Sequence, residues 1–315
     1  MSQSPADGAA LALGGRLKGV VSRGVSFSTL TTFRLGGPAA VFVVAEHPDD
    51  LDLVAEAASG EGVDVLVLGR GSNLLLSDEG FPGIVVKLGR YFSHIDGSGS
   101  SVTAGGGLPF PQAANWAARR GLAGLEFAIA IPGSVGGAVK MNAGAHGNDI
   151  ATVLDTAQIV SINGGNRVEA RPGDLSMSYR RTSLGPDQIV VSAVFRLAES
   201  DRRTVTERME DFRRHRAETQ PLEANNAGSM FKNPPGGSAG KLIEQAGLKG
   251  AARGGVEVSS KHGNFFTARA GASAQDAYDL MAAVQRTIRD EFGISLEPEV
   301  RLVGSFDESN GVVER

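Results

Sequence analysis

Apolar positions along the chain follow two periods, and the switches between them mark out its elements. Ala40 to Ala45 is an unbroken apolar run of strand length. Pro48, Asp49 and Asp50 then open a helix that gathers Leu51, Val54, Ala55 and Ala58 on one face. Val63 to Leu68 predicts a second buried strand, which runs directly into the glycine-rich turn Gly69-Arg70-Gly71-Ser72-Asn73-Leu74. From Ile84 to Leu197 the pattern becomes short strands divided by glycine turns, with one helix near Pro111 to Arg120, an α+β arrangement. A charged helix follows Ala198 with Val205, Met209 and Phe212 on one side. The last long helix, Ala274 to Phe292, carries Ala277, Leu280, Met281, Val284 and Ile288 on one stripe, the signature of core packing. Residues 1–24 lack such a pattern and read as a loosely ordered lead-in. The blocks that follow are 25–90, 91–200 and 201–315, with no internal repeat.

Composition narrows the chemistry. The chain has 315 residues and a formal net charge of -4, so it lacks the basic field of a nucleic-acid binder. Arg213, Arg214, His215 and Arg216 read as the solvated end of the charged helix, where cations suit the helix dipole. With no cysteine there are no disulfides, no thiolate metal sites and no thiol nucleophile, which fits a reducing compartment. The five histidines show no metal-ligand spacing, and no metal is expected. The apolar patch from Ala9 to Leu13 is broken by Gly14, Gly15 and Arg16, too short for a signal segment or a membrane span. The expectation is a cytoplasmic protein without a membrane or nucleic-acid partner.

The 43 glycines are about twice the average share and cluster in particular loops. Two of these, Gly69 to Asn73 and Gly133 to Gly137, each follow an apolar segment, where converging backbone N–H groups could grip a diphosphate without many cations. The first is no P-loop, since no Gly-Lys-Ser/Thr ends it, and neither has the spacing of a Rossmann turn. A third loop, Asn226-Ala227-Gly228-Ser229-Met230-Phe231-Lys232-Asn233-Pro234, sets a hydroxyl beside a cation and an amide, the parts of a proton donor next to an anion. Gly228 permits close backbone approach, and Pro234 and Pro235 stiffen the exit.

In order along the chain, Thr32-Phe33-Arg34-Leu35-Gly36-Gly37-Pro38-Ala39, Leu68 to Leu75 and Ile131-Pro132-Gly133-Ser134-Val135-Gly136-Gly137 resemble the flavin-binding motifs of UDP-N-acetylenolpyruvoylglucosamine reductases. Ala227 to Pro234 is similar to that family's active-site loop, Gly240 to Gly250 to the helix after it, and Leu296-Glu297-Pro298-Glu299-Val300-Arg301 to its C-terminal glutamate motif. The likeness runs from about Ser28 to Gly304. It implies an FAD-binding fold of the vanillyl-alcohol-oxidase type in two subdomains, 25–90 and 91–200, and an α/β substrate domain, 201–315. It also implies noncovalent FAD, reduction of the flavin by NADPH, and reduction of an enolpyruvyl sugar nucleotide to UDP-N-acetylmuramate for peptidoglycan. No obligate protein partner is implied. The chain offers no room before Ser229 for a tyrosine-bearing lid, which favours the shorter, open-site subtype.

The resemblance places cofactor contacts at Gly69, Arg70, Gly71, Ser72, Asn73, Leu74, Pro132, Gly133, Ser134, Gly136, Gly137, Asn142 and Gly144. Reducing an enolpyruvyl double bond leaves a carbanion delocalised into a carboxylate, so the site needs a cation and a proton donor. Ser229 matches the family's donor, and Arg180 in Ser178-Tyr179-Arg180-Arg181-Thr182 matches its carboxylate-binding arginine, with Arg181 the alternative. Glu299 would hydrogen-bond the enolic oxygen. Glu297, two residues away, shares a face with it in a strand, and only family position favours Glu299. Tyr179, Lys232, Asn233, Lys241, Gln245 and His262 are the candidate sugar-nucleotide contacts. Phe265 to Arg269 departs from the family pattern after Asn264. The other readings are a sugar or lactone oxidase of the same fold and a sugar-nucleotide binder without catalysis.

Overall fold

The structure, a computed structural model, describes residues 4–162, 164–222 and 224–314. Two compact units are built from interleaved segments. One comprises the chain to Val25, Ala39–Arg70 and Pro82–Arg216; the other comprises Ser26–Pro38, Gly71–Phe81 and everything from Ala217. The sequential blocks 25–90, 91–200 and 201–315 are therefore not the units of contact.

In the first unit, a four-stranded sheet has the order 20–26, 38–45, 81–88, 65–67. Helices α1 (Pro5–Leu13) and α2 (Pro48–Glu61) pack with it through Ala9, Leu13, Leu51, Val54, Val41, Val43, Ile84 and Val86. Residues 1–24 were expected to be loose, yet α1 is fully specified. The Ser4 hydroxyl accepts the Asp7 N–H, Asp7 returns the bond to the Ser4 N–H, Pro5 starts the helix, and Ala9 and Leu13 are completely buried. Tertiary burial fixes nine residues that would not hold a helix alone.

A second sheet in this unit is antiparallel throughout, in the order 167–170, 154–161, 188–196, 101–105, 95–98. It packs with α3 (Phe110–Ala118), α4 (Val135–Lys140) and the Val205 and Met209 side of α5 (Arg202–Thr219). The expected helices near 111–120 and after Ala198 are α3 and α5.

The other unit centres on α7 (Ala274–Phe292), whose limits are those the apolar stripe predicts. It buries Ala277, Leu280, Met281, Val284 and Ile288 with Phe231, Val256, Val258 and Phe266. A three-stranded antiparallel sheet, 252–253, 256–258 and 266–268, lies in the same core, and the short α6 (Ala239–Gln245) follows the Ser229 loop. Leu74–Leu76 pairs in parallel with Arg301–Val303. The Asp78 carboxylate accepts the N–H groups of Ala274 and Gln275 at 2.8 and 2.9 Å, capping α7 from far away in sequence.

Candidate active site

In the first unit, Val65–Val67, paired in parallel with Phe81–Leu88, leads into Gly69 and Arg70 at the start of the first glycine-rich turn, whose residues from Gly71 belong to the second unit, and the Leu68 N–H donates to the Val86 carbonyl at 2.8 Å. From Gly69 to Asn73, no backbone N–H finds a protein acceptor among the described residues. A run of such donors is what a diphosphate would use. The Arg70 Nε donates to the Pro132 carbonyl at 2.8 Å, tying this turn to the second one. A Cβ on Gly69 would lie 2.8 Å from the Ser134 hydroxyl, so the two turns approach as closely as a bare backbone allows. Lys87, one residue beyond the paired segment, is half-buried, and burial, with the Arg70 guanidinium second, lowers its pKa.

The second turn is already bonded within the protein. The Val135 N–H donates to the Leu108 carbonyl and the Gly136 N–H to the Gly106 carbonyl, both at 2.9 Å, and the Gly137 N–H caps onto the Ser134 hydroxyl. Of this turn's amides, only those of Gly133 and Ser134 lack an acceptor among the described residues. Gly136 and Gly137 therefore do not offer the cofactor the amides expected of them. Gly136 is a packing glycine, since a Cβ there would lie 2.7 Å from the Val190 carbonyl.

Asn142 and Gly144, also expected at the cofactor, bond to the turn that carries the candidate arginine. The Arg180 Nη2 donates to the Gly144 carbonyl at 2.6 Å, and a Cβ on Gly144 would come 3.1 Å from Nη1 of the same guanidinium. The Asn142 amide donates to the carbonyl of Ser178 at 2.9 Å. Ser178 and Arg181 close a tight turn with two backbone bonds, and Arg180 sits in it at a φ of 56°. An arginine in this left-handed region costs on the order of 1–2 kcal/mol, which the surrounding bonds must offset. Arg180 is partly buried, with its guanidinium 5.2 Å from the Tyr179 ring centre, whereas Arg181 is exposed. That asymmetry favours Arg180 as the placed cation.

In the second unit, three distant segments converge on Ser229. The Glu299 N–H donates to the Met230 carbonyl at 2.9 Å, and Phe231 bridges to Pro298, so Ser229 and Glu299 lie on adjacent segments. The Asn73 side chain donates to the Glu299 carbonyl at 3.0 Å, which brings the end of the first glycine-rich turn to the same place. Glu297 is engaged elsewhere: its carboxylate pairs with Lys232 and its carbonyl accepts the Lys232 N–H at 2.8 Å. Glu299, which family position favours, is the one whose backbone bonds to Met230, next to Ser229.

A family model for the C-terminal domain of UDP-N-acetylenolpyruvoylglucosamine reductase matches residues 220–303, and an FAD binding domain model matches residues 39–171. The chain is 44% identical over 288 residues to UDP-N-acetylenolpyruvoylglucosamine reductase 2 of Symbiobacterium thermophilum, covering 91% of this chain and 93% of that one. The chain belongs to the UDP-N-acetylenolpyruvoylglucosamine reductase family. The Bacillus subtilis reductase is 41% identical over 277 residues, covering 87% of this chain and 91% of that one. The crystal structure of the Thermus caldophilus reductase superposes with a TM-score of 0.79 at 36% identity, covering 91% of this chain and all of that one. The expected FAD-binding domain and the family's C-terminal domain are thereby established.

Among the sugar-nucleotide candidates of this reductase, Lys241 and Gln245 are exposed one turn apart on α6. Asn233 accepts the Ala239 N–H at 3.0 Å and so shapes the approach to that helix. His262 is more structural: its Nδ1 accepts the Asn264 N–H at 3.1 Å, and a Cβ on Gly240 would lie 2.9 Å from its ring. Burial, and after it the Lys249 ammonium, holds its imidazole below the usual pKa.

Three residues outside the expected set shape the Ser229 loop. Asn264, 3% exposed, accepts the Phe231 N–H at 2.9 Å and donates to the Phe231 carbonyl at 2.7 Å. Asn226 accepts the Gly228 N–H at 3.0 Å and donates to two carbonyls upstream. The Thr32 hydroxyl donates to the Asn226 carbonyl at 2.8 Å while its N–H donates to the Gly71 carbonyl, joining Gly71 to the Ser229 loop within the second unit. Asn226 and Thr32 lie inside motifs legible in the sequence; nothing in the local sequence marks Asn264 as the partner of Phe231.

Proposed function

We propose that this enzyme reduces UDP-N-acetylglucosamine enolpyruvate to UDP-N-acetylmuramate, with NADPH as electron source and noncovalent FAD between them, a cytoplasmic step of peptidoglycan synthesis. The observation that carries the reading is the junction of Ser229 and Glu299 through Met230, in a chain of this family. No helix among the described residues is long and apolar enough to cross a membrane. In the proposed division, 25–90 and 91–200 bind FAD and 201–315 the sugar nucleotide.

When bound, FAD supplies the two-electron relay between NADPH and the methylene carbon of the substrate. The open amides of Gly69 to Asn73, with those of Gly133 and Ser134, would hold its diphosphate. No thiol is available to tether it. Arg180 takes the substrate carboxylate in a bidentate grip. Charge that builds on the neighbouring carbon spreads into that carboxylate, where a fixed cation stabilises it more in the transition state than in the ground state. The Ser229 hydroxyl gives the proton to that carbon. A serine is a weak acid, and it serves here because the carbanion it meets is strongly basic. Glu299 hydrogen-bonds the enolic oxygen, while Lys232, held at Glu297, with Asn233, Lys241 and Gln245, meets the sugar nucleotide.

The purified protein should be yellow, bleach with NADPH in the absence of oxygen, and regain its colour when the enolpyruvyl sugar nucleotide is added. Colourless protein would favour a binder without catalysis. Recolouring by oxygen but not by the sugar nucleotide would favour an oxidase.

A further inference from the structure

We propose that Asn142 and Lys140, at the C-terminal end of α4, are positioning residues for Arg180, and that they preset its guanidinium for the substrate carboxylate. The inference rests on the assignment of Arg180 to that carboxylate. Asn142 is 2% exposed. Its amide donates to the Ser178 carbonyl at 2.9 Å and to Asp149 Oδ2 at 3.2 Å, and its side-chain oxygen accepts the Ala151 N–H at 2.9 Å. One buried amide thus binds the start of the Arg180 turn to the 144–149 hairpin, whose Gly144 carbonyl holds the guanidinium itself. Asparagine is suited to the place, because it supplies two donors and an acceptor and tolerates its φ of 40°.

Lys140 secures the other side of the turn. Its carbonyl accepts the Thr182 hydroxyl at 2.7 Å, and its ammonium donates to the carbonyls of Gly185 and Gln188 at 2.7 and 3.1 Å. Residues on both sides of Arg180 are therefore stapled to one short stretch. That stretch ends the helix whose first turn is the second glycine-rich loop. Beside the staple, Asp149 Oδ1 is the only buried side-chain oxygen or nitrogen without a hydrogen-bond partner among the described residues. It marks a polar cluster retained despite its desolvation cost. The left-handed backbone of Arg180 would relax without such restraint.

A double-mutant cycle on the FAD-loaded full chain tests this. Asn142→Gly keeps the backbone conformation available and removes only the amide; Lys140→Gln weakens the other half of the staple. Each is made alone and with Arg180→Ala. The measurements are reoxidation of the NADPH-reduced enzyme by the enolpyruvyl sugar nucleotide, and calorimetric binding of that substrate to the oxidised enzyme. Either substitution should slow reoxidation and weaken binding by about tenfold or more alone, and by less than about twofold in the Arg180→Ala background, because residues that act through one group are non-additive. Equal losses in both backgrounds, or no loss in either, would overturn the positioning role while leaving Arg180 at the carboxylate. If Arg180→Ala by itself stays within about twofold of the parent, the carboxylate assignment fails and the inference with it.

Discussion

At the scale of single residues, the register of the two adjacent arginines is the most exposed claim. Arg180 is partly buried, strained and held by the Gly144 carbonyl, whereas Arg181 faces solvent. Arg180→Ala should lower turnover on the order of a hundredfold more than Arg181→Ala, as expected for losing a charge that stabilises the transition state. Steady-state kinetics of both variants decide it, and equal or reversed losses would move the register by one residue. Lys87 offers a separate test. Burial, with the Arg70 guanidinium second, puts its folded pKa below that of the unfolded chain. Between those two values the unfolded chain binds more protons, so the flavin-free protein gains stability as pH rises through that interval, and the penalty is fully present below it. Lys87→Met should raise the thermal midpoint of flavin-free protein at neutral pH and flatten its alkaline pH dependence. A lower midpoint would mean that the ammonium has a stabilising partner after all.

At the scale of elements, α1 carries a prediction that its sequence does not advertise. Leu13 is completely buried, and Leu13→Ala should cost about 2–5 kcal/mol, the usual range for emptying a packed leucine site. Denaturant unfolding would register this as a lower midpoint, and an unchanged midpoint would return residues 1–24 to the status of a lead-in. The contrast with α7 explains what was legible. α7 has nineteen residues, a continuous apolar stripe and a capping box at Ser273, so period alone locates both ends. α1 also has a capping box, at Ser4, and a proline at its start, but its nine residues of mostly alanine, leucine and glycine are too few for a period to show, and burial holds them helical. The glycine-rich turns were legible as places, but their hydrogen bonding was not. The acceptors that use the Val135 and Gly136 amides are Leu108 and Gly106, and no local pattern names partners so far upstream.

At the scale of the molecule, the interleaved units account for what a linear reading missed. The parallel pairing of Leu74–Leu76 with Arg301–Val303 and the capping of α7 by Asp78 assign a short early segment to the unit of the C-terminal domain. Sequential blocks cannot express that, since each contact joins residues some two hundred positions apart. The same convergence brings Asn73, Ser229 and Glu299 together in one unit, and the family match then gives the convergence its chemistry. The central claim is that Ser229 gives the proton in substrate reduction, and Ser229→Ala in stopped-flow absorbance isolates it. Reduction of the enzyme by NADPH needs no proton from this loop, so bleaching should proceed near the parent rate. Recolouring by UDP-N-acetylglucosamine enolpyruvate should slow by about a thousandfold or more, toward the upper range for general-acid catalysis. Recolouring at the parent rate would contradict the account and hand the proton to Glu299 or to water.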